Sequence, residues 1–123
     1  MNRNEILIQL RPNIVIDETK QSGEYENFQN STIRPILKFQ NVALLTVMKK
    51  YLDETKFPKI KNEQERLITG FIQKNQYIKQ QLIGMVAGFF TSEELKYYLL
   101  NSSILNKRII QLVIKRVCDG MIN

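Results

Sequence analysis

The chain has 123 residues, 43% hydrophobic and 24% charged, with a formal net charge of +6. That length suits one domain with a core of its own, and the composition is that of an ordinary globular protein, not a disordered or disulfide-stapled one. There is no histidine and one cysteine, Cys118, which excludes Ser-His-Asp and Cys-His nucleophile systems, histidine-based zinc sites and any intramolecular disulfide.

From the N-terminus, Asn2 is placed to cap a short helix carrying Ile6, Leu7 and Leu10, which Pro12 stops. Glu5 interrupts its apolar stretch and no small-residue cleavage site follows, so it does not read as a secretory signal. Residues 13–23 mix β-branched, acidic and turn residues and read as a loop; a hairpin pairing Leu7–Leu10 with Ile14–Ile16 is the alternative. Glu24 to Asn30 reads as a helical turn. A second and longest helix then starts at Asn30 or Ser31 and runs to about Glu54, ahead of Pro58. Pro35 falls in its first turn, where a missing N–H costs no intrahelical bond.

Asn62 opens the third helix, with Glu65 in a capping-box-like position and Leu67, Ile68, Phe71 and Ile72 on the apolar side. The polar run from Gln73 to Gln76 suggests a break with Asn75 as the next cap; one uninterrupted helix over 63–88 is the alternative. The fourth helix carries Ile78, Leu82, Met85, Val86 and Phe89 on one face, and Gly88 terminates it. Thr91 to Glu94 has the capping-box form and starts a helix through Tyr97, Tyr98, Leu99 and Leu100. Asn101 to Ser103 interrupts and recaps, and the last helix runs from Ile104 to Asp119 with Gly120 as its C-terminal glycine. The expected architecture is an all-α bundle of about five helices, a single domain over residues 1–123 with the long second helix central. The longest apolar run, Leu82 to Phe90, is about half of what a membrane span requires. With the lone cysteine, this makes the cytoplasm the expected compartment and leaves no membrane partner.

Two helices carry more apolar surface than one face needs. At about 100° per residue, the second puts Ile33, Leu37, Leu44, Val47, Met48 and Tyr51 on one stripe and Phe39, Val42 and Leu45 elsewhere. The last puts Leu105, Ile109, Leu112, Val113 and Val117 on one face, widened by Ile110, Ile114 and Met121, leaving Lys107, Arg108, Gln111 and Lys115 as the wet side. Such helices are either enclosed in the bundle or covered by a second copy, so a homodimer or another protein partner is one expectation.

The charge of +6 permits contact with phosphate, but Ile, Lys and Asn number 16, 12 and 11, a bias that AT-rich coding produces without any nucleic-acid partner. No catalytic residue, cofactor or metal site is expected, and the reading leans away from an enzyme. The adjacent carboxylates Asp17/Glu18, Asp53/Glu54 and Glu93/Glu94 fall at loops or helix ends, where solvation and capping account for them. Gln40 lies near the centre of the second helix's apolar stripe. With Asn41 and Arg34 it either lines a pocket for a small or anionic ligand or bonds to a neighbouring helix or to Tyr97 or Tyr98. Gly84 and Gly88 suggest close approach by another helix, and Cys118 reads as a packed thiol. Lys107, Arg108 and Lys115, within a basic helix-turn-helix-like stretch, are the candidate contacts for a nucleic acid; the turn lacks glycine and the helix is apolar for a groove-lying element, so a solvated basic face is preferred.

Two stretches, FQNSTIRPILKFQN at Phe28 to Asn41 and GFFTSEELKYYLLNSSILNKRIIQLVIKR at Gly88 to Arg116, resemble a family of short, all-helical bacterial proteins of unassigned function, some of which carry a glyoxalase label. The resemblance covers most of the chain from Phe28 onward and implies a helical fold. It carries no catalytic residue across. The label implies paired βαβββ modules and a metal held by His and Glu, which a histidine-free helical sequence does not supply.

The functional expectations are therefore a helical interaction or scaffold module, with self-association; a small-ligand binding protein; and a weak nucleic-acid binder.

Overall fold

The computed structural model describes residues 1–14 and 23–122. Among these residues the secondary structure is helical, without strands. The elements are α1 (Arg3–Leu10), α2 (Glu24–Phe28), a π-helical turn (Gln29–Ile33), α3 (Arg34–Tyr51), a 3₁₀ turn (Glu54–Lys56), α4 (Lys61–Lys74), α5 (Gln76–Ala87), α6 (Ser92–Leu100) and α7 (Ser102–Met121).

Several helix boundaries follow from local hydrogen bonding. The Asn2 side chain accepts from the Glu5 N–H and caps α1. The Asn75 side chain accepts from Ile78 N–H, so residues 63–88 form two helices broken at Asn75. Thr91 and Glu94 make the full reciprocal capping box of α6. Leu7–Leu10 is helical, so it forms no hairpin with Ile14–Ile16. Of the expected loop over 13–23, residues 15–22 lie outside the described residues, as does the Asp17/Glu18 pair.

Other boundaries differ. Neither Asn30 nor Ser31 starts a helix. The backbone stays helical from Glu24 through Tyr51, and Ser31 Oγ donates back to the Asn27 carbonyl. Pro35 is therefore an interior proline. Its ring conflicts with the carbonyl of the preceding turn, and the wider π turn immediately before it makes the space. Gly23 begins this run at φ 95, a conformation that costs glycine little. The helix ends at Tyr51, short of Glu54, because Leu52 turns extended and Asp53 instead caps the 3₁₀ turn. The cap of α4 is Ile60 and not Asn62; the Gln64 side chain donates to the Pro58 carbonyl across that entry. α7 begins at Ser102 and runs through Gly120 to Met121.

Buried residues recur at helical spacing: Ile33, Leu37, Leu44 and Met48; Ile68 and Ile72; Ile78, Leu82 and Val86; Leu105, Ile109, Val113 and Val117. Phe28, Phe90, Tyr97 and Tyr98 close one end as an aromatic cluster, with Phe28 and Phe90 ring centroids 5.4 Å apart. The long second helix presents Ile33, Leu37, Leu44 and Met48 of its stripe to this core, with Val47 outside it and Tyr51 exposed, and shares the centre with α7, which packs on α3, α4, α5 and α6. Gln29 pairs with Arg108, Asn41 with Arg116, and Leu45 meets Gly120, so α3 and α7 run in the same direction. α5 runs the opposite way, with Phe39 against Phe89 and Tyr51 against Gln81. The surplus apolar residues of α7 are absorbed within the chain, with Ile110 and Met121 buried and Ile114 packed against the core. Leu45 is likewise covered, while Phe39 is 43% and Val42 76% exposed. No helix among the described residues is long and apolar enough to cross a membrane.

Candidate functional site

The parallel seam between α3 and α7 opens into a pocket of about 420 Å³. α3 contributes Arg34, Leu37 and Asn41, one helix face at spacings of three and four; α7 contributes Leu112, Lys115, Arg116, Asp119 and Gly120, again one face. Leu37 is fully buried and, with half-buried Leu112, forms the apolar part of the lining. The polar groups sit around it.

The partners of the guanidinium groups set the electrostatics of this seam. Arg34 Nε donates to Asn30 Oδ1 at 2.7 Å, and Arg116 Nη1 to Asn41 Oδ1 at 3.4 Å. Farther along, Arg108 Nη1 donates to Gln29 Oε1 at 2.9 Å. All three partners are neutral amides. Among the described residues, no carboxylate lies within ion-pair distance of any of the three. An amide oxygen satisfies a guanidinium N–H without cancelling its charge, so the seam stays cationic. Burial and then the charge of Arg34 push the Arg116 guanidinium below its ordinary value, while Asp119 pulls the other way. Arginine remains protonated at neutral pH regardless, so with Lys115 the result is three like charges on one pocket with a single carboxylate in the lining.

The sequence-derived set Gln40, Asn41 and Arg34 is divided. Arg34 and Asn41 share the pocket, whereas Gln40, one residue and about 100° around the helix from Asn41, faces α5. There its Nε2 donates to the Met85 carbonyl at 3.1 Å, a bond to a neighbouring helix. Lys115, Arg116 and Asp119 complete the site, and the sequence alone does not assign them to a ligand pocket. The available signal was a pair of arginines on the borders of two apolar stripes, Arg34 beside Ile33 and Leu37, Arg116 one turn from Leu112. Only the parallel packing of α3 on α7 brings them together.

The candidate nucleic-acid residues are also divided. Lys107 lines a separate groove of about 400 Å³ with Gln73, Gln76 and Lys79; Arg108 turns to Gln29; Lys115 joins the α3–α7 pocket. The turn before α7 is shorter than the three residues expected, since α6 ends at Leu100 and α7 starts at Ser102. Asn106 accepts from the Tyr98 hydroxyl across that corner.

Elsewhere, Gly84 and Gly88 bring no helix backbone into close approach: a Cβ on Gly84 would meet nothing within 4 Å and one on Gly88 only the Gly84 carbonyl, although the Arg3 side chain of α1 donates to the Gly88 carbonyl. Cys118 is half-buried against the core, and burial, followed by Glu65 and Asp119, pushes its thiol up. No group of three or more metal-ligating side chains is found among the described residues. Compared with known protein families, with curated proteins and with solved structures, the chain matches none.

Proposed function

We propose that this chain is a binding protein for a small oxyanion-bearing ligand of the phosphate class, held between α3 and α7. One observation carries the reading: Arg34 and Arg116 line the same pocket with amides, not carboxylates, as partners. Facing guanidiniums repel, and burial adds to the cost of each charge. An anion seated between them reverses the sign of that interaction, and planar guanidinium forks suit phosphate oxygens geometrically. Titration with inorganic phosphate at low ionic strength, followed by calorimetry and by thermal unfolding, tests this. Saturable binding and a raised melting temperature are expected in the wild type, with a loss of at least about tenfold in Arg116→Ala and in Arg34→Ala. Absence of saturable binding, or binding indifferent to both substitutions, would overturn it.

A second reading, self-association as a helical interaction module, is supported by the apolar residues the fold leaves uncovered. Val42 on α3 is 76% exposed, and Leu100, at the end of α6, is 86% exposed. Sedimentation equilibrium of the wild type against Val42→Glu and Leu100→Glu decides it. A dimer broken by either charge supports the module, and a monomeric wild type removes it.

A further inference from the structure

Resting on the anion-binding reading above, we infer that the ligand is a hydroxyl-bearing phosphate monoester, a phosphorylated polyol or sugar, whose hydroxyl groups are bound by Asp119. The pocket is larger than an oxyanion. About 420 Å³ is within the range of small-molecule sites and holds on the order of ten water-sized groups, against the five heavy atoms of phosphate. That leaves room for a further moiety beside the anionic group.

The lining says what that moiety is. Arg34, Lys115 and Arg116 supply three positive charges and Asp119 one negative charge. A phosphate monoester carries roughly −1.5 to −2 at neutral pH and balances the remainder. Asp119 favours the charged form of Arg116 but repels a phosphate, so beside a bound anion it faces some other part of the ligand. It stands one turn beyond Lys115 and Arg116 on the same face of α7, a rise of roughly 4.5–6 Å, which separates it from the phosphate position by the length of a short carbon chain. An ionised carboxylate is an acceptor only, so its counterpart on the ligand is a donor, a hydroxyl or an ammonium. The net positive field of three cations disfavours an ammonium, which leaves hydroxyl groups. Asn41 offers an amide hydrogen-bonding group beside Arg116, and half-buried Leu112 presents an apolar surface to the carbon skeleton.

Asp119 is exposed and at the rim, so substituting it leaves the core intact. Calorimetric titrations use inorganic phosphate, ribose 5-phosphate, glycerol 3-phosphate, phosphoethanolamine and ribose, on the wild type and on Asp119→Asn. The wild type is expected to bind ribose 5-phosphate and glycerol 3-phosphate about tenfold tighter than inorganic phosphate. Asp119→Asn is expected to shift the two classes in opposite directions: several-fold weaker for the polyol phosphates, and equal or tighter for inorganic phosphate, from which a repelling charge has been removed. Equal wild-type affinity for phosphate and ribose 5-phosphate, or an Asp119→Asn variant that tightens both, overturns the hydroxyl assignment and leaves anion binding standing. Phosphoethanolamine binding tighter than glycerol 3-phosphate also overturns it, in favour of an ammonium. No binding of any phosphate removes both readings, and binding of ribose as tight as that of ribose 5-phosphate removes the anion.

Discussion

Arg116 and Asn41 meet across the α3–α7 seam at 3.4 Å, guanidinium to amide oxygen, at a position where an ion-pairing carboxylate would serve stability better. Asn41→Asp supplies that carboxylate at nearly constant volume. We expect the variant to be more stable than the wild type, by about 0.5–1 kcal/mol for a partly exposed pair, and to lose most of its phosphate affinity. Gln40→Ala, next door on the sequence, gives the converse. It loses the bond to the Met85 carbonyl, worth about 1 kcal/mol, and leaves phosphate binding unchanged because Gln40 faces α5. Urea unfolding and calorimetry on both variants check this; an Asn41→Asp protein that still binds phosphate like the wild type contradicts the pocket assignment.

Arg11 and Glu94 tie α1 to the rest of the fold. Arg11 reaches Glu94 with both terminal nitrogens, Nη1 to Oε2 at 2.7 Å, and also donates to the Phe89 carbonyl. Glu94 additionally accepts from Thr91 N–H and from the Thr32 hydroxyl. Burial alone would raise the Glu94 carboxyl, but these hydrogen bonds and the Arg11 charge outweigh it and hold the group below its ordinary 4.5. The sign follows: the contribution is fully present above the unfolded value and is lost as pH falls through the lower folded one. Stability of the wild type should therefore decline on acidification below about pH 4.5, and less steeply in Glu94→Gln. At neutral pH, Arg11→Ala and Glu94→Gln should each cost about 2–3 kcal/mol, and the double variant well below their sum, because both remove one interaction. Denaturant melts across pH measure all of this; additive losses would show that the two residues act separately.

Gly120 lies where α7 passes α3. A Cβ there would stand 2.6 Å from Leu45 Cδ2, closer than real side chains approach. The obstacle is the end of a flexible side chain, so Gly120→Ala should fall within about 1 kcal/mol of the wild type, the gain in helix propensity offsetting a shifted Leu45. Gly120→Val should lose about 2–3 kcal/mol, and Leu45→Ala in that background should recover part of the loss. Chemical unfolding of these proteins and of Leu45→Ala alone tests it, and a Leu45→Ala change that simply adds its own cost would place the strain elsewhere.

How far the sequence reached can be seen residue by residue. Asn2, Asn75 and the Thr91–Glu94 box mark helix starts because a cap is a bond between a side chain and a backbone group two or three residues away. The core stripes are legible for the same reason, since helical periodicity is local. Pro35 shows the limit even of local reading: a proline that suits a first turn also suits a helix interior when a π turn precedes it, and the packing of Phe28 and Thr32 keeps that helix continuous. Gly120 looked like a terminator and is a point of close approach, because nothing near it in sequence announces Leu45.

By itself the sequence determined that the chain is helical, where several of its helices begin, which faces are apolar, and which histidine-dependent chemistries it cannot perform. The tertiary structure decided that Arg34 and Arg116, far apart in the chain, share one pocket, that Gln40 does not, and that Lys107 and Lys115 serve different surfaces. The physical reason is range. Caps and periodicity arise from bonds within one or two helical turns, whereas a binding pocket is made by side chains that meet only after two helices have chosen their direction and register, and that choice belongs to the packing of the whole core.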